Sequence, residues 1–259
     1  MRLYERLRDA LRANESVALA TVVAGPDVGA KLLVRSDGAV EGTLGDPDLD
    51  RVVARDASAE LEGGITSTRH YGEHGEAREE DVTVFIESFV LPPRLLIFGA
   101  VDFTAALAKV AKVLGYRVTV CDARAVFATV QRFPMADEVV NDWPDRYLAK
   151  VGDELGPRDA VCVLTHDHKF DVPAIAAAVR TNVGYLGAMG SRATHEGRNT
   201  RLREYGLTDD EIARVLSPIG LDIGARTPEE TAVAICAEII ALRTGRQAPS
   251  LRDAVGPIH

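Results

Sequence analysis

The sequence is short of several residue types, and each shortage closes off a class of function. Only three of 259 residues are cysteine, at 121, 162 and 236. None has the paired spacing of a zinc or iron–sulfur site, and each lies in an apolar segment, so buried structural thiols in a reducing cytoplasm are expected. No cysteine precedes Cys121. Aromatics make up 5% of the chain, with a single tryptophan. No apolar run approaches the ~18 residues of a membrane span. The first sixteen residues, MRLYERLRDALRANES, lack the apolar core of a signal peptide and read as an amphipathic helix. Basic charge is also short: 30 Lys and Arg against 39 Asp and Glu leave a net charge of −9, which argues against nucleic acid as a partner.

Apolar residues form 46% of the chain, enough for a substantial core in one large domain or two modest ones. The acidic excess is uneven. Residues 1–93 carry 10 basic and 18 acidic side chains, whereas 94–259 carry 20 and 21, so the second part is better suited to an anionic ligand. Pro92-Pro93 falls at this change and marks the expected boundary between a small α+β domain, 1–92, and a second domain, 93–259.

In the first domain, strands are expected over 17–23, 30–34 and 38–44, a helix over 46–59, a polar loop over 66–81 and a strand over 82–89. His70 and His74 fall in that loop.

The second domain opens on Arg94–Asp122, RLLIFGAVDFTAALAKVAKVLGYRVTVCD. The spacing predicts a buried strand over 95–98, a turn at Gly99, a helix over 103–114 and a second strand over 117–121, closed by Asp122. This is a βαβ unit of the mononucleotide-binding kind. Further apolar segments predict a short helix over 123–130, strands at 138–141, 159–164 and 183–186, and a helix capped by Asp171. The whole reads as a Rossmann-like, doubly wound parallel sheet. Helices capped by Ser191, Thr208 and Thr227 complete the chain.

The turn after the first strand departs from G-x-G-x-x-G. Gly99 is present, but Val101 and Thr104 replace the later glycines. Val101 adds a side chain where a pyrophosphate approaches the backbone. Asp102 is expected to cap the helix and to bring negative charge where a phosphate would sit. NAD(P) is therefore not expected to bind well.

Ligands of open α/β sheets bind beyond the carboxyl ends of the strands. The candidate binding residues there are Gly99, Ala100, Val101, Asp102, Asp122, Arg124, Thr165, His166, Asp167, Gly187, Met189, Gly190, Ser191 and Arg192. Asp122 stands where a ribose-binding acid is expected, or else it caps the strand end or pairs with Arg124. Ser191 opens a helix whose free N–H groups attract anions, and Arg192 adds a two-pronged donor. Arg198, Arg201 and Arg203 follow on the same helix. No nucleophile–base–acid set and no metal-ligating set is assigned. The alternative activity is an NAD(P)-dependent oxidoreductase with His166 as acid/base.

LLIFGA, D-x-R at 122–124, LTHD, YLGAMGSR and PIGLDIGARTPEETAVAICAEI together resemble the XdhC/CoxI family, accessory proteins of molybdenum hydroxylases. The resemblance spans essentially the whole chain. It implies a small N-terminal domain, a C-terminal Rossmann domain and a cytoplasmic accessory or chaperone role. It implies a bound molybdenum cofactor of the molybdopterin type, matured by sulfuration and inserted into a xanthine dehydrogenase or carbon monoxide dehydrogenase client. A cysteine desulfurase and a homo-oligomer are the further partners it suggests. Many relatives carry Gly-Gly-Cys near the segment that reads Gly42-Thr43-Leu44-Gly45 here.

Overall fold

A computed structural model describes residues 3–77, 79–165 and 167–253, and at Arg192 the main chain alone. The chain forms two compact units, Met1–Leu91 and Pro92–His259.

The first unit contains α1 (Leu3–Arg12), β1 (Val17–Ala24), β2 (Lys31–Arg35), β3 (Val40–Thr43), α2 (Pro47–Gly63), β4 (Ser67–Tyr71) and β5 (Val82–Phe89). Its five strands form one antiparallel sheet in the order β3-β2-β1-β5-β4. Helix α2 starts at Asp46, whose carboxylate accepts from the N–H groups of Asp48 and Leu49, and it ends at left-handed Gly64. Leu49, Val53, Ala57 and Leu61 of α2 pack on Ala18, Val34, Val84 and Ile86 of the sheet. Ala10 of α1 packs with Val17, Leu19 and Leu33.

β4 lies inside the stretch expected to be a polar loop, and His70 is part of it. Its polarity comes from partners on α2. Ser67 and Arg69 both donate to Glu60, and the Tyr71 hydroxyl donates to Asp56 at 3.1 Å. His74, beyond the strand, pairs with Asp46 at 2.9 Å. Side chains that look solvated in sequence here tie a strand to a helix.

The second unit contains β6 (Arg94–Phe98), α3 (Asp102–Val113), β7 (Arg117–Cys121), β8 (Glu138–Val140), α4 (Pro144–Val151), β9 (Ala160–Val163), α5 (His168–Ala178), β10 (Tyr185–Ala188), α6 (Arg192–Glu204), α7 (Asp209–Ala213) and α8 (Pro228–Thr244). The sheet is parallel, in the order β10-β9-β6-β7-β8. Alternate side chains feed two cores. Leu95, Ile97 and Val118 pack with Leu107 of α3 and Ile235 of α8. Leu96, Phe98 and Val161 pack with Leu148 of α4, Ile175 of α5 and Leu202 of α6. Beyond β10, Leu216 forms a parallel bridge with Gly187, and the bonds Ala188 N–H to Leu216 O and Leu216 N–H to Leu186 O are both 2.9 Å.

From β6 the chain runs to β7 and β8 on one side, then crosses to β9 and β10 on the other. The order reverses between β6 and β9, so a ligand crevice belongs at their carboxyl ends.

Two expected elements differ. Residues 123–130 form separate turns, with Phe127 and Ala128 N–H both donating to Arg124 O, because the Arg124 side chain folds back on Asp122 and Phe127. Helix α5 starts earlier than expected. Asp167 is its cap, accepting from Lys169 N–H at 3.1 Å, and Asp171 lies within it, 1% exposed.

Candidate functional site

The turn after β6 is held by its own side chains. Gly99 has φ +114, and a Cβ there would stand 2.7 Å from Thr165 Cγ2 and 2.9 Å from its backbone nitrogen, so only glycine permits this approach of two strand ends. Val101, not Asp102, is the N-cap of α3 and offers no side-chain acceptor. Thr104 takes over: its hydroxyl donates to Gly99 O and accepts from Val101 N–H at 3.4 Å. Asp102 is the first helical residue, its side chain 91% exposed and 3.8 Å from Arg132. The expected cap is therefore displaced by one residue, and Asp102 stands in solvent at the helix's positive end with only a long ion pair to Arg132.

Asp122 sits at the carboxyl end of β7 and is 2% exposed. Its Oδ1 accepts from Arg124 N–H at 2.8 Å and Nε at 2.9 Å, and its Oδ2 accepts from Ala100 N–H at 2.8 Å and Arg124 Nη2 at 2.7 Å. Burial alone would raise its pKa. The Arg124 guanidinium and the two N–H groups outweigh burial and hold the carboxyl below the usual carboxylate range. With four donors in place, the carboxylate has no site left for a ribose hydroxyl. Ala100 N–H, which a phosphate would otherwise meet, is spent on the same group.

Thr165 follows β9 and is 4% exposed, and its Oγ1 has no hydrogen-bond partner among the described residues. An unpaired buried hydroxyl at a crevice mouth is the kind of group that a ligand or an ordered water satisfies. His166 lies outside the described residues. Asp167 caps α5 and pairs with Lys169 Nζ at 3.1 Å.

The loop after β10 is anchored by Met189 N–H on Val163 O at 2.8 Å. A Cβ on Gly187 would meet Ile219 at 2.5 Å, and one on Gly190 would meet Thr194 at 3.1 Å and Arg198 Nη2 at 3.3 Å, so both glycines make room for neighbouring chain. Ser191 caps α6, accepting from Thr194 N–H at 3.2 Å. Arg192 is the first residue of α6, and its side chain lies outside the described residues.

Arg198, one of the arginines that follow Arg192 on the same helix, is not an anion-facing side chain. It is 1% exposed. Nη2 bonds Asp171 Oδ2 at 3.3 Å and also donates to Met189 O, and Nη1 donates to Ser217 Oγ at 3.0 Å. Asp171 Oδ1 and Arg198 Nε remain unpaired. Burial pushes the Asp171 carboxyl up to about 7, although Arg198 pulls it down. The pair fastens α5, α6 and the 187–191 loop together.

Sequence reasoning missed a band of rings and cations at the same edge. Arg124 lies 4.7 Å from the Phe127 ring centre and 5.8 Å from that of Phe170. Arg132 is 5.5 Å from Phe127, and Lys169 is 4.8 Å from Phe170. Trp143 and Phe170 are 5.1 Å apart, with their planes at 50°. The available signal was the spacing D-x-R-x-x-F at 122–127 and the lone tryptophan between Asp142 and Pro144.

The cysteines lie apart from this chemistry. Burial pushes the Cys121 thiol up to about 12, the Cys236 thiol up to about 11, and Cys162 well above its ordinary value, so all three stay protonated and poorly nucleophilic. Among the described residues no group of three side chains could hold a metal ion, and no helix is long and apolar enough to cross a membrane.

Known proteins agree with this architecture. A probable xanthine dehydrogenase subunit of Bacillus subtilis (strain 168) is 31% identical over 195 residues, 69% of this chain and 56% of that protein. The molybdenum cofactor insertion chaperone PaoD of Escherichia coli (strain K12) is 30% identical over 106 residues, 41% of this chain and 33% of that protein. The matched part of this chain thus spans about half or less of those relatives' lengths. A crystal structure described as a xanthine dehydrogenase from Bacillus halodurans superposes with TM-score 0.52 at 21% identity, covering 96% of this chain and 98% of that one, and shares the fold. The family model described as the XdhC Rossmann domain matches residues 95–239, and that of the XdhC and CoxI family matches residues 10–72. The chain belongs to the XdhC and CoxI family.

Proposed function

We infer that this chain is a cytoplasmic accessory protein that holds a molybdopterin-type cofactor at the carboxyl edge of its parallel sheet. It assists the cofactor's maturation and hands it to a molybdenum hydroxylase of the xanthine dehydrogenase or carbon monoxide dehydrogenase type. A cysteine desulfurase and a second copy of the chain are the further partners in this reading. The observation that carries it is the closed Asp122 carboxylate. A Rossmann fold whose ribose acid is filled by Arg124 and Ala100 N–H is poorly built for a dinucleotide, yet at the end of β9 it leaves an unpaired buried hydroxyl at Thr165. The relative named as a molybdenum cofactor insertion chaperone supports the choice of ligand.

The residues at this edge fit such a group. Thr165, packed against Gly99, supplies a hydroxyl, Arg124 a fixed cation, and the α6 N-terminus after Ser191 supplies N–H donors for the phosphate. Arg192 is assigned to the same phosphate. The cofactor brings the redox-active metal centre, and the chain binds it, orients it and shields it from water.

The test is to incubate the purified chain with molybdenum cofactor released from a molybdenum hydroxylase. A ligand specific for the folded state raises the melting temperature, and the loaded chain should then restore activity to cofactor-free hydroxylase. Arg192→Ala should weaken binding ~10- to 150-fold, the cost of one charged hydrogen bond. Absence of both the thermal shift and the transfer refutes the reading.

A further inference from the structure

The connection from β7 to β8 is unusual. The two strands are parallel neighbours, and such pairs are normally joined by a crossover helix. Here residues 122–137 contain neither helix nor strand. Connections of that length without secondary structure are uncommon in compact domains and usually carry function. This one places apolar side chains in solvent, with Val126 81%, Val130 66% and Phe127 39% exposed. Trp143, beyond β8, is also 39% exposed. Burying these residues against the sheet would have been favourable, so their position at the crevice mouth needs a reason.

Arg124 supplies one. Its Nε and Nη2 are committed to Asp122, and its Cζ lies 4.7 Å from the Phe127 ring centre and 5.8 Å from that of Phe170. Nη1 has no hydrogen-bond partner among the described residues, and the side chain is 41% exposed. The guanidinium is thus fixed before any ligand arrives, which removes much of the ordering cost of binding. Arg132 lies over the Phe127 ring, and Lys169 lies over that of Phe170, which is itself buried. Asp167, at the start of α5, adds a half-exposed carboxylate. Rings, a fixed cation and an acceptor on one rim suit a flat heterocycle with an N–H edge and an anionic substituent. A bare phosphate would use only the cation, and an apolar ligand only the rings.

We propose that the rim of Arg124, Phe127, Trp143 and Lys169, backed by the buried Phe170 ring, binds the planar, anionic heterocycle of the ligand, a pterin-type ring. This rests on the cofactor-binding reading above and assigns the ring to the β7–β8–α5 side of the crevice.

The chain's lone tryptophan gives a direct readout. The whole chain is titrated with pterin-6-carboxylate, 6-hydroxymethylpterin and inorganic phosphate while Trp143 emission and calorimetric heat are followed. The expected result is saturable quenching by pterin-6-carboxylate. The neutral pterin should bind at least ~10-fold more weakly, for want of one charged hydrogen bond, and phosphate should leave the emission unchanged. Phe127→Ala should weaken the anionic pterin about two- to tenfold through loss of ring contact, with the fold intact because the residue is half-exposed. Arg124→Gln should erase the preference for the anionic pterin. Equal binding of both pterins overturns the proposal, as does binding that Phe127→Ala does not change. Heat of binding without quenching places the ring elsewhere and leaves the accessory function standing. No heat with pterin-6-carboxylate overturns the rim alone, since the accessory function is judged by the released cofactor and its transfer.

Discussion

Arg124 grips both carboxylate oxygens of Asp122 from two positions along the chain, through Nε at 2.9 Å and Nη2 at 2.7 Å, while its Cζ lies 4.7 Å from the Phe127 ring centre. The acid is buried and the base half-exposed, so the pair plugs the end of β7.

The first prediction concerns acid. The Asp122 carboxyl is held below its unfolded value, so its contribution is present above the unfolded pKa of about 4 and is lost as pH falls through the folded pKa. The parent should lose stability below about pH 4. Asp122→Asn should be less stable at neutral pH and flatter in acid. Arg124→Ala, which leaves a buried carboxylate short of two donors, should cost about 1–3 kcal/mol. Urea unfolding from pH 3 to 8 measures both.

Asp171 and Arg198 predict the opposite slope. The folded Asp171 carboxyl is pushed up to about 7 by burial, so the folded state binds a proton that the unfolded state has released. This group favours folding at low pH and costs stability progressively from the unfolded value of about 4 up to about 7. Asp171→Asn should remove that slope. Arg198→Ala should cost about 1–3 kcal/mol, because it leaves Asp171 protonated and takes the donor from the buried Met189 carbonyl. The pH dependence of the unfolding midpoint in parent and Asn variant decides it.

Dinucleotides should bind poorly. Asp122 has no free acceptor position, Ala100 N–H is already used, and Asp102 sets a solvent-exposed charge at the start of α3. Calorimetry with NAD(H) and NADP(H) should give no dissociation constant in the low micromolar range. A value in that range for either would return the oxidoreductase reading to favour.

Residues 94–259 should fold alone. The parallel sheet has its own two cores, and the contact pattern of the chain divides at Leu91–Pro92. The fragment should be soluble and melt cooperatively by circular dichroism. An insoluble fragment, or one without a melting transition, refutes it.

What the sequence made legible was local. The βαβ unit of 94–122 is visible because continuous apolar runs and a 3.6-residue period report on neighbours along the chain. The caps at Ser191, Thr208 and Thr227 are visible because each cap and its N–H partner lie three residues apart. What stayed hidden depends on distant partners. Ser67 and Arg69 look solvated until Glu60 is placed beside them. Asp171 looks like a cap until Arg198, 27 residues away, is seen to need it. The run 123–130 has helical composition, but Arg124 turns back to Asp122. At the candidate site, the sequence named Asp122 and Arg124 together, with pairing as one reading, but nothing local in it set Trp143 against Phe170, 27 residues on.

The bridge from Leu216 to Gly187 governs how copies of this protein behave toward one another. An uncovered β10 would present a row of free N–H and C=O groups on a flat, apolar strand, a template for pairing with another chain. The main chain at 216–219 occupies that row, with Leu216 N–H on Leu186 O, Ala188 N–H on Leu216 O and Ile219 N–H on Ala188 O. At the opposite edge β8 is only three residues long. The sheet is closed at one margin by a borrowed segment and at the other by brevity, which guards the folded protein against growth into ribbons when it is concentrated.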